Sequence, residues 1–200
     1  MKTVVRSISI ILVFFLMTAG NFKPAIDLVI PDFSLRNIDG KMISTAEYKN
    51  AKGFIVIFTC NHCPFAKLYS KRMNDLNKKY SALNIPLIAI NSMDSLIYVD
   101  ESFSKMKLKA KKDAFSFPYL QDAMQTVGKN FGAEHTPTAY VIWKEDNQWK
   151  VKYKGAIDDN GENPEIAKPF IANAVDELLA GQPVSNSETQ SFGCAIFYRK

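Results

Sequence analysis

The chain has 200 residues, 47% of them apolar and 22% charged, with a formal net charge of +5. That mix is too apolar for a disordered chain, and the length suits one domain with extensions. Three cysteines exclude a disulfide-rich scaffold. Arg6, Arg36, Arg72 and Arg199 are the only arginines, so the basic excess is lysine, and composition argues against a nucleic-acid partner.

In chain order, Lys2 and Arg6 precede an uncharged run, Ser7–Phe22, with its apolar heart at Ile8–Met17 and small residues at Thr18-Ala19-Gly20. This pattern reads as a signal peptide over 1–20, cleaved near Gly20. The run is short for a spanning helix, which needs about 20 apolar residues. Retention of the segment as an anchor is the alternative, and the only route to a membrane in this reading. Export, to the periplasm or cell envelope of a bacterium, puts the cysteines where disulfides persist.

Residues 21–30 read as a linker. Two short alternating pieces follow around the turn Asn37-Ile38-Asp39-Gly40, as in a hairpin. Phe54–Phe58 is an unbroken apolar run, the mark of a strand covered on both faces. Apolar residues at helical spacing predict a helix from Pro64 to Leu83, with Pro64 in its first turn. Ile85–Ile90 reads as a second buried strand. Helices are expected over Glu101–Lys112, with a solvated lysine face, and over Asp122–Phe131. Ala139–Trp143 and Trp149–Lys154 read as a hairpin across Asp146-Asn147. A last helix around Phe170–Leu179 closes at Gly181, and a polar stretch leads to Cys194. Strands alternating with helices imply an α/β fold whose sheet is covered on both faces.

Cys60-Asn61-His62-Cys63 stands where an apolar strand gives way to a helix. Helix-start amides and the helix dipole favour a thiolate there, expected on Cys60. Two intervening residues let Cys63 reach Cys60 and resolve a mixed disulfide. A second loop, His135-Thr136-Pro137-Thr138, leads into Ala139–Trp143, and a proline at a strand entrance is a candidate cis peptide.

With these two loops the sequence resembles the thioredoxin superfamily, in which a C-x-x-C loop faces a cis-proline loop. It is more closely similar to the thioredoxin-like branch of the alkyl hydroperoxide reductase/redoxin family. The likeness rests on Pro31–Leu35 with Asp39-Gly40-Lys41, Asn61–Lys67, Tyr153–Asn160 and Gly193-Cys194-Ala195-Ile196. The resemblance implies a thioredoxin-like fold over 28–181: a central mixed sheet, helices on both faces and an N-terminal β-hairpin extension. Residues 182–200 form a tail carrying Cys194. It also implies a cis Pro137, with the Thr136 backbone offered to a substrate chain.

Three functions compete. The first is a thiol-disulfide oxidoreductase acting on protein thiols and disulfides, with Cys60 attacking and Cys63 resolving. It needs no cofactor and draws on a membrane electron donor if it works as a reductase. The second is a thiol peroxidase, because Cys63-Pro64 falls on the peroxidatic Cys-Pro of peroxiredoxins. The family's threonine and proline before that cysteine are replaced here by Cys60 and Val56, and no arginine lies between Arg72 and Arg199. The third is a copper metallochaperone using Cys60, Cys63 and His135, a ligand set that suits Cu(I).

His62, as a cation, would stabilise a Cys60 thiolate and make the disulfide a stronger oxidant. The buried carboxylate that thioredoxins place six residues before the first cysteine is replaced by Phe54; Glu134 is the substitute considered for proton transfer. Cys194 leaves an odd cysteine count and is expected to resolve a sulfenate or disulfide, pair with another chain or sit buried.

Overall fold

The computed structural model describes residues 26–200; the signal segment expected over 1–20 lies outside them. The chain runs β1 (Val29–Ile30), β2 (Ser34–Asn37), β3 (Met42–Ser44), β4 (Gly53–Phe58), α1 (Pro64–Lys67), α2 (Ser70–Tyr80), β5 (Leu87–Asn91), α3 (Phe103–Lys112), β6 (Tyr119–Gln121), α4 (Thr126–Phe131), β7 (His135–Thr136), β8 (Thr138–Glu145), β9 (Gln148–Gly155), α5 (Phe170–Leu179) and β10 (Cys194–Ala195). An eight-stranded mixed sheet has the order β1-β9-β8-β4-β5-β6-β2-β3. Strand β4 is parallel to β5 and antiparallel to β8.

All six residues of β4 are buried, because helices and loops cover both sheet faces. Phe54, Val56 and Phe58 point into one core with Phe131 and Tyr140. Ile55 and Ile57 point into the other, with Met73 and Tyr80 of α2, Met106 of α3 and Ile171 and Val175 of α5. The period-two alternation of a strand thus feeds two cores from one apolar run. The fold is the thioredoxin-like one, and β2 and β3 supply its N-terminal hairpin.

Three local expectations change. The linker read over 21–30 ends in β1, which pairs with β9. The helix expected from Pro64 to Leu83 is broken at Leu68-Tyr69, where the amides bond three residues back, to Phe65 and Ala66. The break lets the Tyr69 ring lie 4.6 Å from the Arg72 guanidinium and its hydroxyl donate to Asp158. Residues 122–125 stay outside α4 because Gln125 is left-handed, with φ 58°, and Asp122 accepts from Ser92 Oγ and the Gly128 amide. The β8–β9 hairpin turns where expected, with Asp146 and Asn147 both at positive φ as a two-residue primed turn requires.

The C-terminal tail is part of the packed fold. The Lys154 amide donates to the Ser187 carbonyl, and the Thr189 amide returns a bond to the Lys154 carbonyl. Further on, β10 pairs antiparallel with β7, matching Cys194 to Thr136 and Ala195 to His135. Ile196 enters the first core, Arg199 pairs with Asp94 at 3.3 Å, and Gln125 Nε2 donates to the Phe197 carbonyl.

Candidate active site

Strand β4 delivers Thr59 and Cys60 to the C-terminal edge of the sheet, and the chain turns through Asn61 and His62 into α1. Cys63 occupies the N-cap of α1 and Pro64 its first position. That placement is favourable because proline lacks the amide a first-turn residue leaves unused. Opposite stands the Thr136–Pro137 peptide, which is cis. Thr136 touches both sulfurs. Its hydroxyl lies 3.0 Å from Cys60 Sγ, and its carbonyl accepts from the Cys63 thiol at 3.2 Å.

Glu101 organises the turn from below. Its carboxylate, 1% exposed, accepts from the amides of Asn61 (2.9 Å) and His62 (3.0 Å), from Asn91 Nδ2 (2.7 Å), and sits 2.5 Å from His62 Nδ1. Tyr119 donates to Asn61 Oδ1 at 2.9 Å, and the His62 ring stacks on Tyr98. The amides expected to face Cys60 are therefore spent on a carboxylate, and His62 Nδ1 turns to that carboxylate as well.

This arrangement separates the two thiols. Beside the Thr136 carbonyl, the Cys63 sulfur meets donors: the Cys60 thiol foremost, then the Cys194 thiol and the amides of Ala66 and Cys194. Against the cost of burial they pull its pKa from 9.0 down to about 4. Cys60 moves the other way, pushed above the ordinary thiol value because it holds the proton it shares with Cys63, is buried and faces Glu101. The Thr136 hydroxyl opposes this only in part. The two thiols, alike in the sequence motif, are thus set apart, Cys63 below and Cys60 above the ordinary thiol value.

The other expected residues scatter. Glu134 is exposed and contributes its carbonyl to the Ile196 amide; the buried acid beside the thiols is Glu101. No sequence signal marked it, because it lies 38 residues beyond Cys63 in a turn that carries no motif. His135 is half-buried on β7. Among the described residues, the group of side chains with ligand atoms within 4.8 Å of one another is Cys60, His62 and Glu101. The structure does not bring His135 into ligand range with both sulfurs, so the copper site expected from Cys60, Cys63 and His135 is not formed. Cys194 lies beside Cys63, held there by the β7–β10 pairing.

Comparison with known proteins agrees with this geometry. The AhpC/TSA family model matches residues 26–154. The chain belongs to the AhpC/TSA family. That places it among the redoxin-type oxidoreductases of thioredoxin-like fold. An uncharacterised conserved protein from Geobacillus kaustophilus is 33% identical, with 90% of this chain and 94% of that one covered and a TM-score of 0.79. A hypothetical protein from Sinorhizobium meliloti is 29% identical over 90% of this chain and 97% of that one, with a TM-score of 0.78. A thiol-disulfide oxidoreductase from Bacteroides fragilis shares the fold at 20% identity and a TM-score of 0.52, covering 63% of this chain and 88% of that one. No curated protein matches the chain.

Proposed function

We propose that the chain is an exported thiol-disulfide oxidoreductase that exchanges disulfides with protein substrates through Cys60 and Cys63. The observation that carries this reading is the meeting of the two sulfurs at Thr136, whose hydroxyl lies 3.0 Å from Cys60 Sγ and whose carbonyl lies 3.2 Å from Cys63 Sγ. The Cys63 thiolate attacks a substrate disulfide, forming a Cys63–substrate bond and expelling one substrate thiolate. Cys60 then gives up its proton and attacks the Cys63 sulfur, and the second substrate thiolate leaves and takes up that proton. The substrate disulfide is reduced by two electrons and the Cys60–Cys63 pair is oxidised; the reverse sequence oxidises a dithiol. The Thr136 hydroxyl, 3.0 Å from Cys60, donates to the Cys60 sulfur as its thiolate forms.

Beside Pro137 runs a groove of about 660 Å³ lined by Phe65, Leu68, Tyr69, Phe170 and Phe192 among others. Phe65, Leu68 and Phe192 are exposed, which suits an unfolded or extended polypeptide better than a small peroxide. Export rests on the sequence pattern of residues 1–20, and in the reductive direction a membrane electron donor completes the cycle.

The peroxidase reading has one feature in its favour, the lowered Cys63 thiol before Pro64. Against it stands the placement of the arginines. Among the described residues Arg36 lies over the Phe103 ring, Arg72 binds Asp158 and the Asn160 and Gly161 carbonyls, and Arg199 binds Asp94 and the Ala123 carbonyl. Thiol loss from the reduced protein should therefore be fast with a disulfide-bonded protein and slow with hydrogen peroxide. Faster loss with peroxide would replace this function by the peroxidase.

A further inference from the structure

Cys63 is the middle of three sulfurs. Cys60 and Cys194 both lie close enough to Cys63 to shift its ionisation, whereas no group of three ligand atoms within 4.8 Å unites all three cysteines. The approach of Cys194 is built into the backbone. Thr136, whose carbonyl meets the Cys63 thiol at 3.2 Å, is its register partner across the β7–β10 pair. Gly193 lies so close that a Cβ there would stand 1.9 Å from that same carbonyl oxygen. Only glycine allows this contact. Anchors on both sides fix the segment: Ser191 accepts from Thr138 Oγ1 at 3.0 Å and the Ile196 amide donates to the Glu134 carbonyl at 2.8 Å. With the tail in place, neither Cys60 nor Cys63 is exposed to solvent.

We propose that Cys194 is a third redox-active residue, and that Cys63 is the shared sulfur of two alternative disulfides, Cys60–Cys63 and Cys63–Cys194. The inference rests on the redox pair proposed above. Cys194, as thiolate, attacks the Cys63 sulfur of the Cys60–Cys63 disulfide. The Cys63–Cys194 bond forms, the Cys60–Cys63 bond breaks, and Cys60 leaves as a thiolate that takes up the proton given up by Cys194. No external oxidant is consumed, because one disulfide replaces another. Thr136 assists at both ends: its backbone aligns Cys194 and its hydroxyl receives the departing Cys60 sulfur. The exchange ties the C-terminal strand covalently across the loop that faces the thiols. It also frees Cys60 while the disulfide is held on the tail.

The geometry separates this from a random third thiol by which partner it selects. Full-length protein is treated with oxidised glutathione, quenched in acid, cleaved with trypsin without reduction and mapped by mass spectrometry. In Cys60→Ser, Cys63 attacks glutathione disulfide and Cys194 displaces the bound glutathione, so the Cys194 peptide is recovered linked to the Cys63 peptide. Glutathione release should be about tenfold or more faster than in Cys60→Ser/Cys194→Ser, since the displacement is intramolecular. In Cys63→Ser the Cys194 peptide should carry a free thiol or glutathione and no link to Cys60. A free Cys194 in Cys60→Ser, or a Cys60–Cys194 link in Cys63→Ser, would overturn the proposal. Wild-type protein reports the underlying pair separately. If it forms no Cys60–Cys63 disulfide, the proposed function fails, whatever Cys194 does in Cys60→Ser. Circular dichroism of each variant confirms that the fold is kept.

Discussion

Glu101→Gln is the most informative single change. The carboxylate takes four donors: two backbone amides, Asn91 Nδ2 and the His62 ring. Glutamine keeps the shape but turns one oxygen into an NH2 group. Asn91 cannot rotate to accept from it, because its Oδ1 already accepts from the Met93 amide at 3.0 Å. One or two buried donors therefore lose their acceptor, at about 1–3 kcal/mol each. The ion pair with His62, about one-third exposed, adds a smaller loss. The total is about 2–4 kcal/mol, or roughly 5–15 °C in Tm for a chain of this size. The second effect concerns reactivity: the charge of Glu101 helps raise the Cys60 pKa, so its removal should lower it. Urea unfolding of the reduced protein measures the first effect. The pH dependence of iodoacetamide alkylation in a Cys63→Ser/Cys194→Ser background measures the second. Unchanged stability together with an unshifted or higher Cys60 midpoint would refute the role given to Glu101.

Gly193→Ala should push the tail off Thr136, since the new Cβ meets backbone at 1.9 Å; thiol labelling of Cys63 in the folded state should accelerate, and an unchanged rate would mean the tail does not guard it. Arg72→Met leaves Asp158, 5% exposed, without its 2.7 Å partner and should cost about 3–5 kcal/mol in denaturant unfolding, with little change in thiol ionisation. The lowered Cys63 pKa predicts a pH dependence. Between about 4 and 9 the unfolded thiol binds the proton that the folded one has released, so the stability Cys63 contributes is complete only above the unfolded value and is lost as pH falls toward 4. Above 9 the raised Cys60 reverses the slope. The stability difference between reduced wild type and Cys63→Ser should therefore grow from pH 5 to pH 8, and a flat difference would refute the assignment of the thiolate.

Much of the fold was legible because its signals are local. The Phe54–Phe58 run, Pro64 at a helix start, the Asp146-Asn147 turn and Gly181, at φ 70°, each fix their own backbone. The C-x-x-C loop and Thr136–Pro137 were readable as a pair through the resemblance to the thioredoxin superfamily. The rest depended on long-range contacts. Tyr69 breaks a helix by reaching Asp158, 89 residues away. Glu101 becomes the central acid only because β5 and the turn after it carry the carboxylate under Asn61 and His62. Residues 182–193 read only as a polar tail, yet Ser191 accepts from Thr138 of β8 and Thr189 meets the Tyr153 hydroxyl of β9, and Cys194 reaches Cys63 through strand pairing that two residues of sequence cannot announce.

The most direct test of the central claim is trapping with a disulfide-bonded protein substrate, comparing Cys60→Ser with Cys63→Ser and resolving adducts on non-reducing gels in a Cys194→Ser background. The account predicts a stable mixed disulfide on Cys63 in Cys60→Ser and little adduct in Cys63→Ser, because Cys63 attacks and Cys60 resolves. Accumulation in Cys63→Ser alone would make Cys60 the nucleophile, and adducts in neither variant would contradict disulfide exchange at this site.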